Sequence, residues 1–342
     1  MAVLTRVDAV QAANHRRQRI LLVLAAATLA VLVLSVLLGR YPAPGLLSPA
    51  QLNSDELASR LVWNLRMPRV LTALLLGATL AAAGMVFQLL FANPLVEPGF
   101  LGVSQGAGFG AALAIVLLGG SAIVSQSAAV LFALAGLAFS YLLAQRIRYG
   151  GWVLRLVLAG IAVSALYSAG LGLLKYLADP LRQLPEITFW LLGSLASITW
   201  PKLLSVLPLA LPGLLVLLLY RWRLNVLSLG EETAFSLGAA PARERWLLLI
   251  CAVLPTAALI SISGIVGWVG LIMPHIARRL FDTDTRFSLP AAMLLGGMFT
   301  VLCDDLARTL LPGEIPLGII TSLFGALIFL ALMIFQQPRA RR

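Results

Sequence analysis

The chain has 342 residues, of which 60% are hydrophobic and 11% are charged. This composition is too apolar for a soluble globular protein of any fold class and predicts a polytopic membrane protein. One span with its loop takes roughly 30 residues, so the length allows about ten membrane helices and excludes a large additional soluble domain. We therefore expect a single all-α membrane domain over residues 1–342.

The net charge of +11 is explained by the membrane topology expected for such a protein. The basic residues stand in short connections between apolar runs, as the positive-inside pattern requires, so we expect contact with the lipid bilayer and no nucleic-acid partner. Residues 1–19 and the C-terminal Arg339, Arg341 and Arg342 are both basic, and their charge predicts that both termini are cytoplasmic.

Ten apolar runs of span length follow one another along the chain. The eighth is exceptional, because its uninterrupted apolar part ends at Pro274 and runs into Arg278 and Arg279, so it could be re-entrant rather than spanning. The expected spans are 20–38, 69–90, 100–118, 122–144, 154–177, 203–220, 246–262, 265–280, 289–311 and 315–335.

Three connections between the spans are long enough to carry function. Segments 39–65 and 178–199 are predicted on the outer side, and the second contains a short helix near 187–194; segment 222–245 is the longest cytoplasmic one. The spans within 69–177 and 246–335 form two sets of four that enter the membrane from opposite sides. This arrangement predicts two inverted half-repeats, with a path at their interface.

Several motifs of soluble enzymes are missing. No GxxxxGK[ST] sequence occurs, so the chain has no P-loop for ATP. Cys251 and Cys303 lie in apolar runs without metal-ligand spacing, and we expect no catalytic, metal or cofactor site. His275 could be a haem or iron ligand, but a structural hydrogen bond is the favoured interpretation. The glycines of the third span have the small-xxx-small spacing of close helix packing, which favours packing over nucleotide binding at Gly102, Gly106, Gly108 and Gly110.

The cytoplasmic sequence LSLGEETAFSLGAAP, residues 227–241, predicts a short amphipathic helix between two glycines. It could be an ordinary loop helix that packs on its own protein. Alternatively, it is a coupling helix whose exposed face docks into a partner ATPase. The residues expected to act in coupling are Leu229, Gly230, Glu231, Glu232, Ala234, Leu237 and Gly238.

Five segments together resemble one known family. They read RMPR at 66–69, NPLVEPGFLGVSQGAG at 93–108, LSLGEETAFSLG at 227–238, GLIMPHIARR at 270–279 and EIPLGIIT at 314–321. The combination covers nearly the whole chain and is similar to the permease subunit of type II ABC importers for iron chelates, haem and cobalamin, the FecCD-like family.

The resemblance implies a set of partners and a location. Two such permeases form a homodimer in the bacterial inner membrane, two ABC ATPase subunits that bind ATP and Mg²⁺ dock on its cytoplasmic face, and a periplasmic binding protein delivers the cargo. The cargo implied is a ferric siderophore or haem, with cobalamin as the alternative. This chain would then have no ATPase activity of its own.

The resemblance also implies that three outer arginines receive acidic residues of the binding protein. They are Arg66, Arg69 and Arg308. Arginine suits this role, because its guanidinium is a rigid fork for carboxylates and stays charged near the membrane. Arg66 and Arg69 could instead anchor the helix by reaching towards the lipid headgroups. Arg308 could instead form an intrahelical pair with Asp304, four residues earlier.

The family's cytoplasmic gate matches Asn93 and Leu95, and the start of the fifth span at Val153 and Leu154 would face it. An Asn-Pro break leaves backbone groups that must be satisfied inside lipid, so it is tolerated mainly within protein or along a cavity. Val153 and Leu154 are apolar where related proteins can carry hydroxyl groups, and an apolar constriction can still seal a path.

Two functions from other classes remain as alternatives. An ion-coupled secondary transporter would need acids buried within a span, and Asp304 and Asp305 are the candidates. A membrane-embedded enzyme would need a nucleophile, a base or a metal cluster, and the sequence offers none of these arrangements.

Overall fold

The computed structural model describes residues 2–41 and 43–334, and helices make up most of them. The C-terminal Arg339, Arg341 and Arg342 lie outside the described residues. The helices in chain order are α1 (Ala2–Leu37), α2 (Pro49–Ser54), α3 (Glu56–Leu61), α4 (Met67–Leu90), α5 (Val103–Leu117), α6 (Ala122–Arg146), α7 (Trp152–Leu177), α8 (Gln183–Leu192), α9 (Trp200–Leu219), α10 (Arg221–Leu227), α11 (Glu231–Ser236), α12 (Pro241–Ser263), α13 (Val269–Phe281), α14 (Thr285–Thr309) and α15 (Leu317–Ile334).

A small hairpin interrupts the all-α pattern after α1. Strand β1 (Leu38–Gly39) pairs antiparallel with β2 (Gly45–Leu46). The rest of the predicted outer connection 39–65 is largely helical, because α3 continues through a π-helical turn, Val62–Arg66, into α4. The helix therefore begins well before Arg69, where the sequence predicted the second span to start.

Eight helices of the described residues are long and apolar enough to cross a membrane. The other two predicted spans correspond to α5, with 15 residues, and α13, with 13 residues. At 1.5 Å per residue, α13 is about 20 Å long, which is less than the ~30 Å hydrocarbon core of a bilayer. The total of ten spans and the inverted half-repeats remain predictions.

Helix α4 forms the centre of the packed core. It contacts α14, α13 and α12, and α12 in turn contacts α9 and α6. Helices α5, α6 and α7 pack on one another as a second group. Many of the large apolar side chains that point away from both groups are exposed, as expected where a helix faces lipid, and they include Leu22, Ile123, Leu131, Leu166 and Leu215.

Glycines set the closest helix approaches. A Cβ atom on Gly77 of α4 would lie 2.1 Å from the carbonyl oxygen of Gly296 in α14. On α5, a Cβ atom on Gly106 or Gly110 would lie 2.3 or 2.4 Å from carbonyl oxygens of α6. These contacts confirm the packing interpretation for Gly106 and Gly110, since only glycine allows the backbones to approach this far.

A buried glutamine joins α4 to α13. Pro274 has no backbone N–H, so the carbonyl of Gly270, four residues earlier, has no helical donor at that position. The side chain of Gln88 donates to the Gly270 and Leu271 carbonyls at 3.2 and 3.1 Å. Arg278 also donates to Gln88 at 2.5 Å. This network satisfies the backbone at the proline of the short α13.

Candidate coupling and translocation sites

The predicted coupling segment forms the expected helix between two glycines. Helix α11 begins directly after Gly230, whose φ is +95°, and ends just before Leu237 and Gly238, whose φ is +76°. Side chains larger than hydrogen are strained at both φ values, which explains the choice of glycine. The two glycines thus define where this short helix begins and ends.

The faces of α11 differ strongly in exposure. Ala234 is fully buried, so it anchors the helix to its own protein. Leu229, Phe235 and Leu237 are 57%, 73% and 57% exposed. Large apolar side chains clustered on a surface mark an interaction site in general. Of the predicted coupling residues, Ala234 is therefore a support, whereas Leu229 and Leu237, which flank α11, are exposed.

The segment is fixed to the base of α12 by two arginines. Arg223 donates to Glu244 at 3.0 Å through Nε and to the Gly238 carbonyl at 3.2 Å. Arg245 donates to Glu231 at 3.3 Å. Both ends of α11 are therefore held against α12, while its outward face stays free of these contacts.

A polar cluster joins α10, which precedes the coupling segment, to α14. Asn225 donates to Asp284 at 3.0 Å and accepts from the Thr285 backbone at 2.9 Å. Burial raises the pKa of Asp284, but hydrogen bonds from Arg286 and Asn225 lower it by more, so it lies below its usual range. The carboxylate stays charged at neutral pH and caps the N-terminus of α14.

At the opposite end of the molecule, the predicted docking arginines are largely buried. Arg69 donates to Asp304 at 2.9 Å and to Glu314 at 2.7 Å, and Asp304 is 1% exposed. Arg308 donates to Asp305 at 2.5 Å, whereas its Nε lies 3.8 Å from Asp304. Arg308 is thus hydrogen-bonded to Asp305, three residues earlier, and it also forms the expected intrahelical ion pair with Asp304.

Arg66 differs from the other two because it is hydrogen-bonded to backbone carbonyls and to no acidic side chain among the described residues. It donates to Leu37 at 3.1 Å and to Tyr41 at 3.3 Å. All three arginines line one cavity of about 370 Å³ together with Arg40 and Glu314. These contacts are with protein groups, which argues against lipid anchoring of Arg66 and Arg69; the docking role remains a prediction.

Two of the predicted gate residues, Asn93 and Leu95, lie just beyond the C-terminal end of α4, and the other two, Val153 and Leu154, lie at the N-terminal end of α7. Asn93 follows Ala92, whose φ is +48°, and its side chain accepts from the Leu95 backbone at 2.9 Å. Leu95 and Leu154 are 49% and 47% exposed, and Val153 is half-buried. The rings of Phe91 and Trp152, which flank these segments, are 5.8 Å apart. The structure thus brings the two segments together, and the gate role itself is untested.

The sequence interpretation missed one acid, Glu97. It lines two cavities, of about 940 and 390 Å³, and accepts a hydrogen bond from the backbone of Trp268. Trp268 has a φ of +72°, which is unusual for a bulky residue, and its Cβ occupies a notch left by Gly325. The available signal was an acid within an apolar stretch, which is a functional candidate by default.

These features are those of a helical membrane protein with apolar cavities and a short, exposed helix at one end. The chain belongs to the FecCD transport family, whose pattern matches residues 16–335. Members of this family are permease subunits of type II ABC importers, and the ATPase site is in a partner subunit.

Individual relatives are similar over most of their length. A molybdate import system permease of Haemophilus influenzae is 39% identical over 90% of this chain and 92% of its own. An iron chelatin transport permease of Helicobacter pylori is 40% identical over 82% and 85%. Permeases named for hemin in Yersinia pestis and for vitamin B12 in Vibrio cholerae are 38% and 37% identical.

A solved structure supports the same assignment. It is described as an inward-facing conformation of a metal-chelate type ABC transporter, and it is 39% identical with a TM-score of 0.86. The match covers 93% of this chain and 99% of that one.

Proposed function

We propose that this chain is the permease of an ATP-driven importer that moves a metal chelate, a ferric siderophore or haem, from the periplasm to the cytoplasm. The path would lie between two copies of the chain in the inner membrane. The observation that carries this proposal is the glycine-bounded helix α11, which is anchored by Ala234 and exposes Phe235 and Leu237.

ATP and Mg²⁺ would bind the partner ATPases, and this chain would respond through α11. A ligand shifts a conformational equilibrium only by its different affinity for the two states. Nucleotide must therefore favour the closed ATPase pair, whose movement would carry α11 and switch the permease dimer between outward-open and inward-open forms.

The binding protein would dock over the outer cavity with acidic side chains. Arg66 is the best suited of the three arginines to accept a new carboxylate, because its present acceptors are neutral carbonyls. Arg69 and Arg308 already hold acids, so they would contribute by shaping the cavity and its charge.

The cavity of about 940 Å³ supports a bulky cargo. It is lined mainly by apolar side chains, which would let a chelate pass without being held tightly. Cobalamin is the alternative cargo within the same family. The name of the Haemophilus influenzae relative adds molybdate to the compounds that should be tested.

The proposal can be tested with the purified permease and its partner ATPase. ATP hydrolysis would be measured with binding proteins loaded with a ferric siderophore, haem, cobalamin or molybdate. We expect the ferric siderophore or haem form to stimulate hydrolysis. Stimulation by cobalamin or molybdate alone would reject the proposed cargo, and no stimulation by any loaded protein would reject the importer role.

A further inference from the structure

We propose that Arg245 and Trp152 are positioning residues that transmit movement of helix α11 to the gate segments. This inference rests on the proposed function and names a path by which the two predicted sites communicate. The path, which we call the relay, runs from Glu231 on α11 through Arg245 and Trp152 to Phe91.

The first contact of the relay crosses from α11 to α12. Arg245 Nη1 lies 3.3 Å from Glu231 Oε2. The Glu231 side chain is 64% exposed, whereas that of Arg245 is 12% exposed. The pair therefore connects a residue on the partner-facing helix with one that extends into the protein.

The second contact is between the Arg245 guanidinium and the aromatic ring of Trp152. The Arg245 guanidinium carbon lies 5.2 Å from the centroid of the Trp152 ring, which is within cation–π range. Arg245 Nε is buried and has no hydrogen-bond partner among the described residues. The Trp152 ring and Glu231 therefore have a large share in setting where the guanidinium lies.

The third contact joins Trp152 to Phe91, and each of these residues lies next to one of the predicted gate segments. Trp152 lies 5.8 Å from Phe91, and Phe91 stacks on Phe87 at 5.6 Å with an interplanar angle of 14°. Trp152 directly precedes Val153 and Leu154, and Phe91 is two residues before Asn93. Because close-packed side chains transmit strain to their neighbours, a shift of Trp152 would act on both segments.

A neighbouring contact shows what a merely structural role looks like. Arg223 holds Glu244 and the Gly238 carbonyl, which fixes the end of α11 without reaching the gate. Loss of a structural anchor lowers stability, and with it ATP hydrolysis and gate movement together. Loss of the relay should reduce gate movement and leave stability and ATP hydrolysis unchanged, because α11 still docks on the ATPase while the gate no longer responds.

The test measures gate movement without any cargo. Spin labels are attached through Leu95→Cys in both copies of the full complex, which includes the partner ATPases. The distance distribution between the labels is recorded without nucleotide and with Mg-ATP and orthovanadate. The variants are Trp152→Leu and Arg245→Gln, and Trp152→Phe and Arg245→Lys are the conservative versions. Arg243→Gln, an exposed arginine two residues away, is the matched control.

We expect the wild type and Arg243→Gln to shift on nucleotide binding. In Trp152→Leu and Arg245→Gln the equilibrium constant for the shift should fall by roughly three- to thirtyfold, the range of one cation–π contact. ATP hydrolysis and melting temperature should be retained in Trp152→Leu, which leaves the contact between Arg245 and Glu231 in place. Trp152→Phe and Arg245→Lys should restore most of the shift.

Three results would overturn the relay. A full shift in Trp152→Leu and Arg245→Gln would show that the gate moves without these residues. A parallel loss of melting temperature, hydrolysis and shift, with no rescue by the conservative variants, would make the contacts structural. A wild-type complex that shows neither hydrolysis nor a shift would overturn the proposed function itself, and the relay with it.

Discussion

The two ends of this protein differ in which side chains they bury: charged residues are buried and paired at one end, and apolar residues are exposed at the other. At the predicted outer end, Arg69, Asp304 and Arg308 are buried and paired within the chain. At the predicted cytoplasmic end, Phe235 and Leu237 of the coupling segment are exposed although they are apolar. The outer end is thus fixed by ion pairs within the chain, and the exposed side chains at the inner end support the proposal that a partner covers α11.

The strongest test of the fixed outer end is Arg69→Ala. It leaves Asp304 buried without its main counter-charge, and breaking such a pair costs about 3–5 kcal/mol of unfolding free energy. Chemical unfolding in detergent measures this loss. Arg60→Ala is the matched control, since the Arg60 and Glu56 side chains are 70% and 79% exposed, and exposed pairs contribute at most about 1 kcal/mol. Equal losses in the two variants would show that burial at this end does not matter.

The proposed partner-binding role of the inner end is tested by the double change Glu231→Lys and Glu232→Lys. Both residues are exposed, so the membrane dimer should stay intact while uptake falls to background, because the docking face has the wrong charge. Uptake and size-exclusion chromatography of the same preparation measure the two properties. Wild-type uptake would exclude this helix as the coupling element.

A smaller effect is expected where α4 and α14 touch. Gly77→Ala places a Cβ atom 2.1 Å from the Gly296 carbonyl oxygen, and overpacking of this kind costs about 1–3 kcal/mol. Gly172→Ala is the control, because no atom of the residues that the structure describes lies within 4 Å of the added Cβ. There the change should be neutral or stabilising by up to about 1 kcal/mol, since alanine favours a helix. A stable Gly77→Ala variant would mean that the two helices are not packed this closely.

The smallest effect is expected at Arg66. Arg66→Gln removes the charge and keeps a neutral amide, but its shorter side chain weakens the bonds to the Leu37 and Tyr41 carbonyls, so a small loss of stability is expected. Affinity for the binding protein should fall by about tenfold and depend less on salt, as for a peripheral charge in an interface. Binding measured at two salt concentrations checks both effects, with Arg60→Gln as the exposed control. Unchanged affinity would leave Arg66 with a structural role only.

The sequence predicted the features that depend on local pattern. Apolar runs located most of the helices, and Gly230 and Gly238 located the ends of α11. The pair Arg69–Asp304 and the contact between Glu97 and Trp268 were not predictable in this way. These partners are far apart in the chain, and their meeting depends on how α4, α13 and α14 pack. The sequence does not predict the substrate either, because the apolar cavity offers few specific contacts to it.

The structure also weakens the secondary-transporter alternative. Asp304 and Asp305 were its candidate ion ligands, and both are already neutralised by Arg69 and Arg308. Ser35 also donates to Asp305 at 2.6 Å. An ion would have to displace these donors, which makes the two acids structural groups in this conformation.

The most direct test of the account is uptake into proteoliposomes that contain this chain, its partner ATPase and the binding protein loaded with ferric siderophore or haem. Uptake would be compared between the wild-type ATPase and an ATPase unable to hydrolyse ATP. We predict uptake only with ATP and the active ATPase. Equal uptake with the inactive ATPase, or uptake driven by a proton gradient alone, would contradict the assignment as an ATP-driven permease.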